Sequence, residues 1–334
     1  DRSPSRGLGD VYKRQMSLNK AEYLSKVLET HRMSKIQDLV NKFKSKRDEV
    51  KSALLENYGS KIYAPFDSGS FKKHTAINIK FDLDIVGPFK RDSFGKLENM
   101  FDDLYEFLYE TYKEVAYVRK QKVSIGIEFN EDEDGDIVSL DVVPGRELNQ
   151  DQYLEDKNLN LYVYSQFGLL QKSTYIQTNI HSQIEHIKAK DKERKVIRLF
   201  KIWKSSNNEK YKSFLLELIT IKAFDKEDVN GDLWEKLKAV MEYIRDNIKK
   251  DDFKLKDPGN SNNNVIDTLE DWERSNLSSR MQTIISRVEE NAENLKTYFP
   301  VNSDFENNGS DNSSYGIKGS AVAASIPPTN QRFG

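Results

Sequence analysis

The first part of the chain carries apolar residues at helical spacing. Between residues 17 and 57 there is no Gly or Pro, and apolar positions recur three or four residues apart. These positions are Leu24, Val27, Leu28, Ile36, Leu39, Val40, Phe43, Val50, Ala53 and Leu54. The spacing predicts one or two long amphipathic helices, and Gly59 is the residue type at which helices commonly end.

Polar and apolar residues alternate in the part that follows. Residues 78–86, 123–129 and 137–143 alternate at a period of two, which predicts three strands with one face toward a core. The acidic residues 130–136 lie between the second and third of these strands, and this predicts a hairpin. We also expect a shorter strand at residues 62–66.

Helical patterns account for most of the remaining residues. A helix is predicted for residues 93–118, and a very short one for residues 71–76, directly after a Gly/Ser turn. An irregular polar stretch runs from about residue 146 to 173, and helical spacing then dominates from about residue 179 to 298. The order of helix, mixed α/β core and helical lobe predicts an α+β fold.

These changes of pattern divide the chain into four parts. They are a leader (residues 1–15), a mixed core with the N-terminal helix (16–175), a helical lobe (176–301) and a tail (302–334). We expect the leader to be non-native or disordered, because residues 10–15 resemble translated sequencing-adapter DNA and Met16 opens the helical pattern. The tail is rich in Asn, Ser and Gly, which predicts disorder.

Composition narrows the classes of function. The 334 residues include 52 Lys and Arg and 54 Asp and Glu, so the formal net charge is −2 and gives no whole-chain argument for nucleic-acid binding. The absence of Cys excludes disulfides, thiolate metal sites and a Cys nucleophile. No apolar run approaches the ~20 residues of a membrane span, and the first residues do not form a secretory signal. We therefore expect a cytoplasmic protein with no membrane partner.

Three carboxylates lie inside the predicted strands. Asp82 and Asp84 are two residues apart, so their side chains point to one face, and Asp141 interrupts an apolar run in another strand. If these strands are neighbours, the carboxylates converge, and their repulsion requires a cation. Oxygen ligands of this kind suit Mg²⁺, with Mn²⁺ as the alternative. By spacing alone, the solvent face of a strand explains such residues equally well, although Asp is depleted from strands.

Gly69 and Ser70 close a turn directly upstream of the Asp82/Asp84 strand. Main-chain N–H groups at such a turn, together with a Ser hydroxyl, can hold a triphosphate. An ordinary Gly-Ser turn is the commoner explanation of the dipeptide by itself. The position of the turn just before the carboxylates favours the phosphate site.

Four short motifs follow one another in a characteristic order. They are Gly69-Ser70-Phe71, Thr75, Asp82-Leu83-Asp84-Ile85 and Leu140-Asp141-Val142-Val143-Pro144. In combination they resemble the signature of polymerase-β-like nucleotidyltransferases, and more narrowly the bacterial cGAS/DncV-like nucleotidyltransferases. The resemblance covers about residues 16–300. It implies a mixed sheet with flanking helices and a long N-terminal helix, followed by a C-terminal α-helical lobe.

The resemblance also implies roles for these residues. Asp82 and Asp84 would be catalytic ligands of two metal ions. Asp141 would ligate one metal ion and help to deprotonate the attacking ribose hydroxyl. Gly69 and Ser70 would hold the donor triphosphate.

Further nucleotide-binding residues are implied in the helical lobe. Lys201 matches a phosphate-binding Lys of the family, and a solvated helix Lys is the open alternative. Ser213 and Phe214 match a Ser–aromatic pair that contacts phosphate and stacks on the base, although Phe214 fits a core position as well. Residues 257–265 also resemble a family stretch, which we interpret as a loop that orders the helical lobe.

The function implied by the resemblance is metal-dependent synthesis of a cyclic di- or trinucleotide from nucleoside triphosphates. The product would be a second messenger that reaches a downstream effector in bacterial anti-phage signalling. Two alternatives stay open at this point. One is nucleotidyl transfer to RNA or protein, or synthesis of a linear oligonucleotide. The other is an inactive binding scaffold.

Two further expectations concern partners. Some bacterial members end in a flexible tail whose terminal Gly is conjugated by ubiquitin-transfer-like enzymes, and the last residues, up to Gly334, resemble such a tail. A generic disordered end is the alternative. The chain has no Cys/His zinc insertion, so we expect no zinc-mediated DNA sensing. The His residues are dispersed, and we expect His181 and His186 to form a surface pair rather than a metal site.

Overall fold

The computed structural model describes residues 18–79, 81–164 and 175–306. The predicted leader and the predicted conjugation site at Gly334 lie outside the described residues. Within the described ranges, no helix combines the length and the apolar character that crossing a bilayer requires.

Helices make up most of the described chain. The α-helices are α1 (Lys20–Thr30), α2 (Gln37–Tyr58), α3 (Gly69–Lys72), α4 (Leu97–Tyr112), α5 (Tyr153–Asp156), α6 (Ile180–Ile187), α7 (Asp191–Ser206), α8 (Ser213–Lys226), α9 (Leu233–Asn247), α10 (Asp271–Glu290) and α11 (Leu295–Tyr298). Short 3-10 turns are found at Met33–Ile36, Gly59–Lys61, Arg91–Ser93, Val265–Thr268, Ala292–Asn294 and Ser303–Phe305.

The strands form one mixed sheet and a small hairpin. They are β1 (Phe66–Ser68), β2 (Leu83–Phe89), β3 (Ala116–Lys120), β4 (Ile125–Phe129), β5 (Ser139–Glu147), β6 (Leu159–Tyr162), β7 (Tyr175–Thr178), β8 (Lys256–Asp257) and β9 (Asn260–Asn264). The sheet order is β1-β2-β5-β4-β3, with β6 paired to β5 and β7 paired to β6. Only the β2–β5 pair is parallel among these described pairs, and β5 lies at the centre of the sheet. The predicted α+β class is confirmed.

Two apolar cores divide the molecule into two layers. One core lies between the sheet and the helices α2 and α4, and it includes Leu54, Phe101 and Leu140. The other lies among α7, α8, α9 and α10, and we call this the helical layer. The short α1 packs in the helical layer, where Leu24 and Val27 are fully buried. The N-terminal helical segment therefore connects both layers, since α1 belongs to one core and α2 to the other.

Several boundaries follow the predictions closely. Two helices form where one or two were predicted, and α2 ends at Tyr58 with Gly59 as its C-cap, whose φ of +50° suits glycine. The strands β4 and β5 pair as an antiparallel hairpin around the acidic residues, as their alternation predicts. Fold class and hairpin are thus readable from periodicity.

Other boundaries differ from the predictions for identifiable reasons. The strand predicted to start at residue 78 begins only at Leu83. Before it, the Asn78 side chain donates to the carbonyl of Thr30 at 3.0 Å, so this segment is anchored on the end of α1 instead of pairing in the sheet. The predicted helix 93–118 ends at Tyr112, and β3 then pairs with β4. The short helix predicted for residues 71–76 lies earlier in the chain, as α3 at Gly69–Lys72. It does not continue to residue 76, because His74 has a φ of +58°, which is incompatible with an α-helix.

Candidate active site

Asp84 and Asp141 lie directly opposite each other on the two parallel strands at the centre of the sheet. The register of β2 and β5 pairs these residues, and partner residues on neighbouring strands point to the same face. Only 8% of Asp84 and 1% of Asp141 is exposed. Two adjacent carboxylates at such burial are unfavourable unless donors or a cation compensate their charge. The structure therefore brings together two of the three predicted carboxylates.

Asp82 lies at the margin of this pair. It is the residue immediately before β2 and is partly exposed. Within the described ranges, the carboxylate oxygens of Asp82, Asp84 and Asp141 do not form a group in which all lie within 4.8 Å of one another. Their donor chemistry fits a hard cation, because every ligand atom would be a carboxylate oxygen. Joint metal ligation by the three residues stays a prediction.

The Gly69-Ser70 turn contacts the Asp84 carboxylate. Strand β1 pairs antiparallel with β2, and this register sets Ser68 opposite Asp84. Gly69 follows at φ +68°, and a Cβ on it would lie 1.5 Å from Oδ2 of Asp84. Glycine is required here both by the left-handed backbone and by the contact. The predicted phosphate turn and the predicted metal ligand are thus adjacent.

Lys201 reaches this turn from the helical layer. Its Nζ donates to Oγ1 of Thr75 at 2.9 Å, and the Thr75 N–H donates to the carbonyl of Ser70 at 2.9 Å. Desolvation lowers the pKa of Lys201 to about 8, with nearby Lys73 acting in the same direction and Glu217 and Asp82 opposing it. Lys201 therefore carries a titratable charge beside the turn, as a phosphate-binding residue requires, and that role stays a prediction.

Ser213 and Phe214 begin helix α8 behind the turn. Ser213 accepts a hydrogen bond from Lys204 at 3.3 Å. Phe214 is 9% exposed and packs in the core of the helical layer. The ammonium of Lys73 lies 4.8 Å from its ring centroid. The ring of Phe214 thus packs in the core with one ammonium beside it. Stacking of a base on this ring stays a prediction.

Sequence reasoning missed two residues that support the site. Lys73 follows α3 and forms a buried ion pair with Glu217 of α8 at 2.8 Å, which ties the predicted phosphate turn to the helical layer. Gln121 donates from Nε2 to Oδ1 of Asp141 at 2.9 Å. Neither residue belongs to a periodic pattern, and both contacts join segments that are distant along the chain.

An acidic cluster lies away from this site, in the β4–β5 hairpin. Asp132, Asp134 and Asp136 offer oxygens within 4.8 Å of one another, an arrangement consistent with a divalent-cation site. The ammonium of Lys42 lies among them at 2.6–2.7 Å from each. These carboxylates raise the pKa of Lys42, and Lys42 in turn lowers the pKa of Asp132. In the sequence, these residues indicate only an acidic hairpin turn.

The histidines contribute no metal group among the described residues. His181 stacks on Phe66 with 4.3 Å between ring centroids, and burial lowers its pKa. His186 is also partly buried, and burial lowers its pKa as well. The two residues are therefore less exposed than the predicted surface pair.

Residues 257–265 dock onto the start of α6. The carbonyl of Gly259 accepts from the Asn179 N–H at 2.8 Å, and Asp257 accepts from Gln183 at 2.9 Å. A Cβ on Gly259 would lie 2.8 Å from the Asn179 carbonyl oxygen, so the close approach needs glycine. These contacts support the interpretation of this stretch as an ordering loop.

No protein-family model matches the sequence, and no curated protein matches it. Solved structures do match by fold. The Escherichia coli MS115-1 CdnC in complex with HORMA-deltaN is 18% identical, with a TM-score of 0.65 over 85% of this chain and 98% of that chain. The Bradyrhizobium diazoefficiens CD-NTase CdnG in complex with GTP is 15% identical, with a TM-score of 0.63 over 83% and 94%.

A third match is the Vibrio cholerae DncV cyclic AMP-GMP synthase in complex with a linear intermediate. It is 14% identical, with a TM-score of 0.56 over 73% of this chain and 69% of that chain. All three match this chain at 14–18% identity, so the likeness concerns the fold. The chain therefore has the fold of the bacterial cGAS/DncV-like nucleotidyltransferases, the group that its sequence motifs resemble.

Proposed function

We propose that this protein is a metal-dependent nucleotidyltransferase that joins nucleoside triphosphates into a cyclic di- or trinucleotide. The observation that carries the proposal is the pairing of buried Asp84 with Asp141, with the main chain of Gly69 against the Asp84 carboxylate. This pairing sets the two charged groups beside a turn of the kind that holds phosphate. The shared fold with cyclic-nucleotide synthases supports the same reaction class.

The carboxylates are the proposed ligands of Mg²⁺, with Mn²⁺ as a substitute. Asp82 and Asp84 would each contact two metal ions, and Asp141 would contact one. When bound, the metal supplies positive charge that favours ionisation of the acceptor hydroxyl and stabilises the leaving oxygen. The burial of Asp84 and Asp141 reduces competition from water for these ligand atoms.

The remaining groups of the chain position the triphosphate and accept the proton of the acceptor ribose hydroxyl. The Gly69-Ser70 turn holds the donor phosphates, and the Lys201 ammonium offsets their charge. Asp141 helps to remove the proton from the acceptor ribose hydroxyl. A bond forms between that oxygen and the donor α-phosphorus, the bond from the α-phosphorus to the bridging oxygen breaks, and pyrophosphate leaves. One further transfer for a dinucleotide, or two for a trinucleotide, follow in the same way; the last occurs within the linear product and closes the ring, and each transfer releases pyrophosphate.

The test is product analysis with purified protein. Incubation with Mg²⁺ and labelled nucleoside triphosphates, singly and mixed, should yield a phosphatase-resistant oligonucleotide of defined mass. ATP and GTP should be tried first, since similar structures hold these nucleotides. The Asp82→Ala plus Asp84→Ala double variant should make no product. Asp252→Ala, which alters an exposed carboxylate in a distant turn, is the matched control and should retain activity.

Other outcomes separate the alternative functions. A phosphatase-sensitive product indicates linear synthesis, and label on an added RNA or protein indicates transfer to a macromolecule. Product formation by the double variant would contradict the carboxylate assignment. Failure of the wild-type protein to bind any triphosphate with Mg²⁺ or Mn²⁺ would favour the inactive scaffold.

We further propose that the product acts as a second messenger in anti-phage signalling, through an effector that binds it. The proposal is supported by the fold shared with the STING-associated CdnE c-di-GMP synthase of Capnocytophaga granulosa. Extracts of bacteria that express the wild-type protein should contain the product after phage infection. Extracts with the Asp84→Ala variant should lack it, and equal phage resistance with both proteins would contradict the signalling role.

A further inference from the structure

Gln121 lies at the tight turn between β3 and β4, and its side chain reaches Asp141. The turn is closed by the Gln121 N–H, which donates to the carbonyl of Ser124 at 2.8 Å. From this position the Gln121 Nε2 donates to Oδ1 of Asp141 at 2.9 Å. Because Asp141 is 1% exposed, this bond to a carboxylate lies in a region from which water is nearly excluded. Hydrogen bonds to ionised groups are short and strong in such surroundings.

The Asp141 carboxylate determines which end of the Gln121 amide faces it, and Ser124 binds the other end. The Ser124 Oγ donates to Oε1 of Gln121 at 3.1 Å, and Ser124 is itself 1% exposed. In the reversed orientation, Oε1 would face a carboxylate oxygen, and two acceptors repel each other. The carboxylate therefore selects the orientation with the amide donor toward Asp141, and the Ser124 hydroxyl holds the Oε1 end in place.

Gly126 leaves the space through which the amide passes. Gly126 pairs with Asp141 across the β4–β5 ladder. A Cβ on Gly126 would lie 2.4 Å from Nε2 of Gln121 and 3.4 Å from Oδ1 of Asp141. Gly126 is not among the residues with positive φ, so its backbone conformation does not require glycine. The requirement comes from the Gln121 side chain, which crosses the strand at this point.

We propose that Gln121 is a positioning residue that holds the Asp141 carboxylate in the orientation in which it binds the catalytic divalent ion. The proposal rests on the function proposed above. Gln121 acts through Asp141 and does not itself contact substrate. Ser124 holds the Oε1 end of the amide, and Gly126 makes room for it. Residues that orient a metal ligand typically contribute about 10–100-fold to metal affinity or activity.

The test measures metal binding directly. Wild-type protein is titrated with Mn²⁺ in the presence of a non-hydrolysable ATP analogue, and free Mn²⁺ is followed by electron paramagnetic resonance. Gln121→Met preserves the length of the side chain and removes the donor, and it should weaken Mn²⁺ binding about 10–100-fold. Ser124→Ala leaves the amide free to rotate and should have a smaller effect in the same direction. Gln37→Met, at an exposed position of α2, is the matched control and should bind Mn²⁺ as the wild type does.

Two readouts separate positioning from a structural role. The affinity for the triphosphate analogue without divalent ion, and the thermal unfolding temperature, should be the same in Ser124→Ala and the wild type. Raising Mn²⁺ should restore much of the lost turnover in Gln121→Met, since the missing interaction lies with the metal ligand. Unchanged Mn²⁺ affinity in both variants would overturn the proposal. Failure of the wild-type protein to bind Mn²⁺ or make product would instead contradict the proposed function.

Discussion

Two acidic regions of this molecule compensate their charge in different ways. The hairpin cluster Asp132, Asp134 and Asp136 surrounds the ammonium of Lys42, and two of its three carboxylates are exposed. The pair Asp84 and Asp141 is buried in the sheet, beside the main chain of Gly69. A compact group of carboxylates is therefore a weak indication of catalysis by itself. Burial, a close main-chain turn and a fixed amide donor distinguish the pair at the centre of the sheet.

The largest expected effect comes from removing one charge in each region. Asp84→Asn should reduce turnover by on the order of 10³-fold, because losing a proposed metal ligand would remove several kcal/mol of charge stabilisation. Asp134→Asn should leave turnover within about twofold, since Lys42 and water already compensate its charge. The rate of pyrophosphate release measures the turnover of both variants. Equal losses in the two variants would remove the distinction between the regions.

The second comparison uses the glycine of each region. Gly69 and Gly135 both have positive φ, at +68° and +83°, so Ala strains the backbone at either position. At Gly69 the added Cβ would also overlap the Asp84 carboxylate, whereas at Gly135 its nearest neighbour is a Glu131 oxygen at 3.3 Å. Gly69→Ala should lower turnover about 100-fold, and Gly135→Ala should lower only the unfolding temperature. Similar turnover in both variants would show that the contact with Asp84 is unimportant.

The third comparison is between the two lysines. The pKa of Lys201 is lowered to about 8, whereas that of Lys42 is raised. If the charged Lys201 binds phosphate, the dissociation constant of a triphosphate should be constant below pH 8 and rise by up to about tenfold per pH unit above it. Lys42 stays protonated through this range. Binding isotherms between pH 6.5 and 9.5 test this, and Lys201→Gln should bind more weakly with a flat profile.

The lowered pKa of Lys201 also affects the stability of the fold, and here raising the pH is favourable. In the unfolded chain Lys201 keeps its proton up to about pH 10.5, so between pH 8 and 10.5 the unfolded state binds more protons. The Lys201 contribution to the free energy of unfolding should therefore rise with pH in that window. Urea unfolding of the wild type and of Lys201→Gln should be measured at pH 7.5 and 9.5. The difference in the free energy of unfolding between the two proteins should be smaller at pH 9.5.

The smallest effect is expected at Lys42. Lys42→Gln leaves the three hairpin carboxylates without their ammonium, and their repulsion should lower the unfolding temperature by at most about 3 °C, because exposed ion pairs contribute little. Since the cluster geometry is consistent with a divalent cation, added Ca²⁺ should restore the loss in this variant. A Ca²⁺ response in Asp134→Asn as large as in Lys42→Gln would show that the cluster is not the site of the effect.

Much of the site was predictable because it lies on periodic elements. The alternation around Asp84 and Asp141 defined two strands with carboxylates on one face, and the Gly-Ser turn preceded them. The role of Gln121 was not predictable. Its contact with Asp141 depends on the three-dimensional shape of the turn between β3 and β4, and the spacing of residues along the sequence does not reveal that shape. The unusual signal was Gly126, a glycine inside an otherwise alternating strand. The start of β2 was mispredicted because the Asn78 amide bonds the end of α1 instead of joining a ladder.

The division of the N-terminal helices was also hidden from the sequence. Both α1 and α2 show apolar residues at helical spacing, and this pattern gives no information about the partner against which each helix packs. The break at Met33–Ile36 allows α1 to bury Leu24 in the helical layer while α2 covers the sheet. Long-range packing, rather than local propensity, decides this arrangement.

The buried pair of Lys73 and Glu217 has a consequence for protein engineering. Together with the bond from Lys201 to Thr75, it fastens the segment after the Gly69-Ser70 turn to α7 and α8. A minimal version cut down to the sheet layer would leave the Lys73 ammonium without its counterion and lose Lys201 entirely. The two layers are therefore not interchangeable modules, and a chimaera with the sheet of one protein of this fold and the helices of another must carry over both contacts as a matched set.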